Sequence, residues 1–207
     1  MITSREVATS NVGVSATSWV LPGLILLAFG PLLGCATTDT PLVVDLKFDP
    51  KIEPEAAIEG CMFQVGSVAD ERLRKNDLGL VGSRVVSTRD VMPWLQQAFE
   101  TLNDGSTKTS SSVGQVSSGR LVSLKASLKK LYVHTLLTSI SANVLVAVSY
   151  AIDAGPLDTR LYRGTETGVN WTGSADSVSD LLHDALAHII KNIRADLMIL
   201  CRAQKPA

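Results

Sequence analysis

The chain has 207 residues, enough for one domain of ordinary size once an N-terminal leader is set aside. Its 19 basic and 20 acidic side chains nearly cancel, and the resulting formal charge of −1 argues against a nucleic-acid-binding face. Aromatic residues make up 5% of the sequence, which is too few to indicate a platform for stacking bases or sugars.

The N-terminal segment predicts export. Residues 19–33 carry no charge and are too short to span a bilayer, so they are typical of the apolar region of a signal peptide. The sequence Leu-x-Gly-Cys that follows resembles the bacterial lipobox. That resemblance implies a leader of residues 1–34 that is removed and a lipidated Cys35 as the new N-terminus. The alternatives are an ordinary secretory leader, or a membrane anchor, in which Cys35 has no special role.

The lipid would determine where the protein lies. Each buried CH₂ contributes about 0.8 kcal/mol, so several acyl chains on one cysteine would hold the protein firmly. Ala36, rather than an aspartate, follows Cys35, which resembles the default for the outer membrane; the inner membrane is the alternative. Residues 35–58 are predicted to be the lipidated cysteine and an extended, proline-spaced tether, in which residues 42–48 could add a short edge strand.

A single periplasmic domain is predicted for residues 59–203. Apolar residues alternate over residues 61–68, which predicts the first strand. The charged, glycine-containing segment 70–84 predicts a surface loop, and residues 84–87 a second short strand.

The rest of the domain is predicted to contain two helices separated by more strands. An apolar stripe over residues 87–102 predicts the first helix, and residues 105–119 predict a flexible serine-rich loop. A second apolar stripe predicts a long helix at about 177–202, capped by Ser177. Three strands are predicted between the loop and this helix, at 121–133, 142–152 and 159–172. This order predicts an α+β domain with an antiparallel or mixed sheet of about four to five strands and two helices packed on one face.

Several short motifs resemble the YajG-like family of bacterial outer-membrane lipoproteins. They are Val68-x-Asp70-x-Arg72, the pair Gly79 and Gly82, and Tyr162-Arg163-Gly164. The resemblance spans roughly residues 40–197. It implies a periplasm-facing domain with an arrangement like that of the TolB N-terminal domain. The serine-rich loop and Cys61 and Cys201 depart from the family's pattern.

The charged loop supplies a possible recognition site, formed by Asp70, Arg72, Arg74 and Asp77. Charged side chains gathered in one loop can bind a polar partner. The alternative is a solvated loop whose internal salt bridges contribute little each.

The two remaining cysteines, Cys61 and Cys201, would lie in the oxidising periplasm. They can form a disulfide if the last helix packs across the first strand. Closing so long a loop would contribute about 4–5 kcal/mol in the chain-entropy model. The alternative is two buried free thiols.

The sequence contains no pattern typical of a nucleophile elbow, a phosphate loop or a metal site. His183 and His188 are five residues apart, so they lie off a common helix face. A cell-wall enzyme would need a cleft that gathers some of Asp70, Asp77 and Asp90. We therefore expect no enzymatic activity, no cofactor and no metal.

The predicted function is that of a membrane-anchored envelope lipoprotein that binds a protein partner in the periplasm. Neither nucleic acid nor a small-molecule substrate is expected. The alternative is an accessory lipoprotein of an ABC-type lipid or polymer export system, which would bind lipid or the transporter. Such a protein would need an apolar groove between helix and sheet.

Overall fold

A computed structural model describes residues 40–48, 58, 61–89, 91–102, 120–169 and 173–202, all within one compact unit, Thr38–Ala207. Cys35, Asp90, the leader 1–34 and the serine-rich loop 105–119 lie outside the described residues. The elements, in chain order, are β1 Leu42–Val44, β2 Cys61–Asp70, β3 Gly79–Val81, β4 Arg84–Thr88, α1 Val91–Glu100, β5 Arg120–Leu136, β6 Ser139–Ile152, β7 Asp158–Val169 and α2 Ala175–Arg202.

The described strands form one mixed sheet in the order β1-β4-β3-β5-β6-β7, with β2 paired to β5. β5 is 17 residues long, so β2 lies parallel to its first half and β3 parallel to its second half. β1 is parallel to β4, and the remaining pairs are antiparallel. The α+β class is as predicted, but the sheet has seven strands where four to five were expected.

The two additional strands have a clear physical origin. β3 falls within the segment 70–84, whose glycines indicated a loop throughout. Gly79 has φ +114° and would place a Cβ 2.2 Å from the carbonyl oxygen of Val133, so a glycine is required for β3 to approach β5. The backbone pairing with β4 and β5 then makes residues Gly79–Val81 a strand.

The second additional strand, β1, belongs to the predicted tether. Its side chains alternate, so that every second residue from Leu42 to Phe48 is buried in the core. The hydroxyl of Ser179 on α2 donates a hydrogen bond to the carbonyl oxygen of Asp45 (3.0 Å), and the Phe48 ring lies 5.0 Å from that of His183. Residues 42–48 are therefore part of the domain, and the connection between Cys35 and the domain is shorter than the predicted tether 35–58.

Both helices contribute to one buried cluster on a single face of the sheet. Alternate residues of the long strands point into this cluster, and α2 packs over them. A Cβ at Gly164 would lie 1.9 Å from the carbonyl oxygen of Ala185, so this glycine of β7 sets how closely α2 approaches the sheet. Seven side chains on the buried stripe of α2 have no exposed surface: Val178, Leu182, Ala185, Leu186, Ile189, Ile193 and Leu197.

The start of α2 differs slightly from the prediction. The helix begins at Ala175, and its cap is Ser174 rather than the predicted Ser177. The hydroxyl of Ser174 accepts a hydrogen bond from the amide of Ser177 (3.2 Å). A serine just before the first helical residue can satisfy one of the free N–H groups of the first turn.

Candidate interaction surface

The face of the sheet opposite the two helices, which we call the open face, carries many exposed apolar side chains. Successive residues of a strand point to opposite faces, so the sequence neighbours of each of these residues point to the helix-covered face. All are between 36% and 67% exposed. They come from six of the seven strands: Val43, Met62, Leu80, Val85, Leu121, Tyr132, Leu136, Leu161 and Val169. An exposed apolar surface of this extent is typical of a protein or membrane contact.

The charges on the open face have one sign. Lys125, Lys130 and Arg163 occupy open-face positions of β5 and β7. The acidic residues within the described strands take covered-face positions instead: Asp70 pairs with Leu128, Asp158 with Tyr150 and Glu166 with Ala142. Among the strand positions that the structure describes, the open face thus has cations and no carboxylate.

The cations lie in ordered positions. Lys130 pairs with Leu145, which pairs with Arg163, so these three side chains form one row across β5, β6 and β7. In the next row, the buried Asn143 accepts hydrogen bonds through Oδ1 from Nη2 of Arg163 and from the hydroxyl of Thr165, both 3.1 Å long. Because Asn143 is 3% exposed, these bonds hold Arg163 against the sheet.

Two members of the predicted recognition loop form an internal ion pair. Nε and Nη2 of Arg72 each donate to a carboxylate oxygen of Asp70 at 2.9 Å. The Arg72 side chain is 4% exposed, and its hydrogen bonds lower the pKa of Asp70. Nη2 of Arg72 also donates to the carbonyl oxygen of Lys75 (3.4 Å). The two charged groups therefore bind each other and fix the loop, and Arg72 is buried rather than solvated.

The other two members, Arg74 and Asp77, line a cleft of about 340 Å³. Its opposite wall is the bulged middle of β5, including Lys129, Lys130 and Tyr132. Lys129 is paired with Glu71. Because Lys130 and Tyr132 line the cleft and also hold open-face positions, the cleft continues into the open face. Of the carboxylates considered for a cell-wall enzyme, Asp77 lines this cleft and Asp70 is bound to Arg72, while Asp90 lies outside the described residues.

Cys61 and Cys201 are joined by a disulfide, with their Cα atoms 5.9 Å apart. The bond connects the first residue of β2 to the last turn of α2. It therefore ties the C-terminal helix to the edge of the sheet at which β2 begins.

A partly buried polar cluster, which sequence reasoning did not find, connects α2 to β6 and β7. Asp196 Oδ2 accepts hydrogen bonds from the hydroxyl of Tyr162 (2.6 Å) and from Nη1 of Arg160 (2.9 Å), and the hydroxyls of Tyr150 and Tyr162 also bond to each other. The bond from Tyr162 lowers the pKa of Asp196, while burial and Asp196 raise that of Tyr162 to about 12. Burial likewise raises the pKa of Tyr150. The sequence signal was the position of both tyrosines on the covered face of neighbouring strands.

Metal binding and membrane spanning each require a feature that the described residues do not show. Within the part of the chain that the structure describes, no group of three or more His, Cys, Asp or Glu side chains is placed to hold a metal ion. No described helix combines the length and the apolar character needed to cross a membrane.

The distant structural similarities between this chain and known proteins include the following three. A Xanthomonas campestris protein of the DUF330 family aligns with a TM-score of 0.48 and 8% identity, over 76% of this chain and 94% of its own. A Caulobacter crescentus protein described as a candidate lipoprotein aligns with 0.38 and 13%, over 55% and 84%. A hypothetical protein of Chlamydia trachomatis aligns with 0.31 and 10%, over 68% and 100%. No protein-family model and no curated protein matches the chain. Similarities this low assign neither a family nor a function.

Proposed function

We propose that this protein is a lipid-anchored, non-catalytic lipoprotein of the bacterial envelope that docks a protein partner on the open face. One observation carries the proposal: an uncovered sheet face whose exposed apolar residues are accompanied by cations and by no strand carboxylate. Large apolar side chains that remain exposed do not stabilise a monomer. Their burial against a partner contributes a binding free energy of about 25 cal/mol per Å² of apolar area.

The charge pattern specifies the chemistry of the partner. A surface complementary to the open face has apolar side chains that contact residues such as Leu161 and Tyr132, and carboxylates that face Lys125, Lys130 and Arg163. Such charges mainly steer the encounter and select the partner, while the apolar contacts provide most of the affinity. The cleft beside Arg74 and Asp77 would extend this contact surface past the edge of β5.

The anchor is the second part of the proposal. Lipidation of Cys35 would place the domain at a membrane, which we take to be the periplasmic side of the outer membrane, as in the YajG-like lipoproteins that the sequence motifs resemble. The short connection to β1 supports a role close to the bilayer. A domain held there meets membrane-associated partners at high effective concentration.

The alternative function, an accessory lipoprotein of an ABC-type export system, was expected to require an apolar groove between helix and sheet. Along its middle, the interface between α2 and the sheet is filled by side chains with no exposed surface, such as Leu186 and Ile189. A cavity of about 360 Å³ opens near Leu200 at its C-terminal end, but charged side chains, among them Arg120 and Asp158, contribute to its lining, so it is not the apolar groove that was expected. The geometry of the described residues therefore favours the docking function over direct lipid binding at that interface.

The docking function can be tested by photocrosslinking in intact cells. A photoreactive amino acid at Leu161, 67% exposed on the open face, is compared with one at Ile199, 63% exposed on α2. We expect a discrete protein adduct from position 161 that is absent from position 199 and is lost when Lys130→Glu is added. Adducts of equal yield from both positions, or an adduct indifferent to Lys130→Glu, would contradict a partner on the open face.

The anchor is tested separately. Cys35→Ala is expected to release the protein from the membrane or to block its maturation, with the fold unchanged. If the Cys35→Ala protein matures and fractionates with the membrane as the unsubstituted protein does, the lipid anchor is wrong.

A further inference from the structure

The end of the sheet at which the chain enters the domain is also the end at which the β5–β6 hairpin turns. β1 and β4 run antiparallel to β5, and the register aligns Leu42, Val86, Gly79 and Val133 in one row. Thr40 precedes that row by two residues and accepts a hydrogen bond from Nε of Arg84 (3.4 Å). Beyond Val133, β5 continues by three residues to its end at Leu136.

The hairpin turn at this end exposes two leucines. Leu136 is 50% exposed and Leu137 is 99% exposed. The neighbouring end of β7 adds Val169, which pairs with Ser139 and is 63% exposed. We call these three residues the tip cluster. No residue from 135 to 152 is charged, so the turn and β6 are electrically neutral, and the nearest charges of β5 in the sequence are Lys129 and Lys130.

Leu137 is an unfavourable choice for the fold itself. It is the first residue of a two-residue turn and has φ +52°, in the left-handed region that favours glycine, asparagine or aspartate. Its side chain makes no compensating burial in the domain. A residue that strains the backbone and leaves its apolar side chain in water is a candidate for function rather than for stability.

The distance to the proposed anchor is short. Thr40 follows Cys35 by five positions, and an extended chain spans at most about 18 Å over that length. Two strands lie between β1 and β5, so the entry point is about 14 Å from the hairpin along the sheet. A bilayer that holds the lipid on Cys35 is therefore within reach of the tip cluster.

We propose that the tip cluster inserts into the interfacial region of the lipid bilayer that carries the anchor. This inference rests on the proposed lipidation of Cys35. Leu136, Leu137 and Val169 enter the boundary between headgroups and acyl chains, where apolar side chains are favoured and no charge has to be desolvated. The hydroxyl of Thr135 stays with the domain, because it accepts a hydrogen bond from the Gly82 amide (3.0 Å) and so connects the hairpin to the β3–β4 turn.

Two contacts with the bilayer, the lipid and the tip cluster, would fix the orientation of the domain. With the hairpin end toward the membrane, the strands rise from the bilayer and the open face is presented sideways. A partner in the same membrane can then approach the open face without displacing the anchor.

The experiment uses the complete lipidated protein reconstituted into vesicles of phosphatidylethanolamine and phosphatidylglycerol with brominated acyl chains. Leu137→Trp reports on the tip cluster. The matched control is Leu157→Trp, since Leu157 is 58% exposed in the β6–β7 connection at the opposite end of the sheet. The protein's own tryptophans contribute equally to both variants, so emission is compared with that of the unsubstituted protein.

We expect the emission added by Leu137→Trp to lie at shorter wavelength than that added by Leu157→Trp, because its indole would be in an apolar environment. Brominated acyl chains should quench most of the emission added by Leu137→Trp and leave that added by Leu157→Trp unchanged. Mass spectrometry of the N-terminal peptide establishes in the same sample whether Cys35 carries lipid. A lipidated protein whose Leu137→Trp emission is no more quenched than that of Leu157→Trp overturns the insertion alone and leaves the anchor standing. An unlipidated Cys35 overturns the anchor, and this inference with it. Quenching of both variants alike shows adsorption without a preferred end and also overturns the proposal.

Discussion

The two faces of the sheet are built from the same strands, yet they have opposite properties. On the covered face, alternate residues of β5 and β6 such as Leu124, Val144 and Val148 are at most 1% exposed. On the open face, their immediate neighbours are serine, lysine, asparagine, leucine and alanine. The covered face accounts for the stability of the domain, since burial of apolar area is the main favourable term in folding. The open face can change with little effect on stability, so its composition reflects other requirements.

The largest effect on the covered side is expected from loss of the disulfide. Replacing both cysteines, Cys61→Ala with Cys201→Ala, should lower the free energy of unfolding by about 5 kcal/mol, because a loop closed over a separation of 140 residues restricts the unfolded chain strongly. Urea unfolding of the double variant and of the oxidised protein measures the difference. A decrease below about 1 kcal/mol would mean that the bond adds little to the contact between β2 and α2.

Gly164→Ala is expected to have the next largest effect. The added Cβ would meet the carbonyl oxygen of Ala185, so α2 must move away from β7, at a cost of about 2–3 kcal/mol. Thr167→Ala, three residues along the same strand on the open face, is the control and should change the unfolding free energy by less than about 0.5 kcal/mol. Equal effects at the two positions would contradict the difference between the faces.

The cluster around Asp196 predicts a pH dependence in acid. Because hydrogen bonds from Tyr162 and Arg160 lower the pKa of Asp196 in the folded state, its contribution to stability is present above the ordinary carboxyl value of 3.8. That contribution is lost as the pH falls through the lowered pKa. Tyr162→Phe should reduce the unfolding free energy at neutral pH by about 1.5 kcal/mol and flatten this acid dependence.

Thermal unfolding between neutral pH and pH 2 compares Tyr162→Phe with Asp180→Asn, which changes an exposed carboxylate on the same helix. The acid dependence of Asp180→Asn should match that of the unsubstituted protein. If Tyr162→Phe has the same slope as well, Asp196 does not contribute in the way its hydrogen bonds indicate.

The smallest effect is expected at the tip of the open side, and its sign is reversed. Leu137→Asn should raise the free energy of unfolding by about 0.5–1 kcal/mol, because asparagine tolerates the left-handed conformation better than leucine does. Leu136→Asn, one residue earlier in the strand, should give no gain. A loss of stability in Leu137→Asn would mean that Leu137 serves the fold after all.

The covered face was largely predictable from the sequence, since it follows simple periodicities. The alternation from Val144 to Ile152 and the apolar stripe of α2 indicated β6 and the last helix correctly. Two strands were harder. β3 is a strand only through its partners β4 and β5, and β1 is so short that the sequence indicated a possible edge strand within a tether without placing it in the core. Strand pairing between residues distant in sequence is not encoded in a local pattern.

The candidate surface was less predictable. The charges of the loop were visible in the sequence, but burial of Arg72 against Asp70 could not be inferred, because arginine is usually exposed. The cations of the open face became a pattern only once the register placed Lys130 and Arg163 in one row. The bond between Tyr162 and Asp196 joins residues 34 positions apart and likewise depends on tertiary packing.

The disulfide has a mechanical consequence. Between Cys61 and Cys201 the backbone is closed into a covalent ring. If tension acts between β1 and the end of α2, the load passes through the two sulfur atoms and bypasses β3 to β7. The strands inside the ring, which supply all of the open face except the edge strand β1 with its Val43, are therefore shielded from that load.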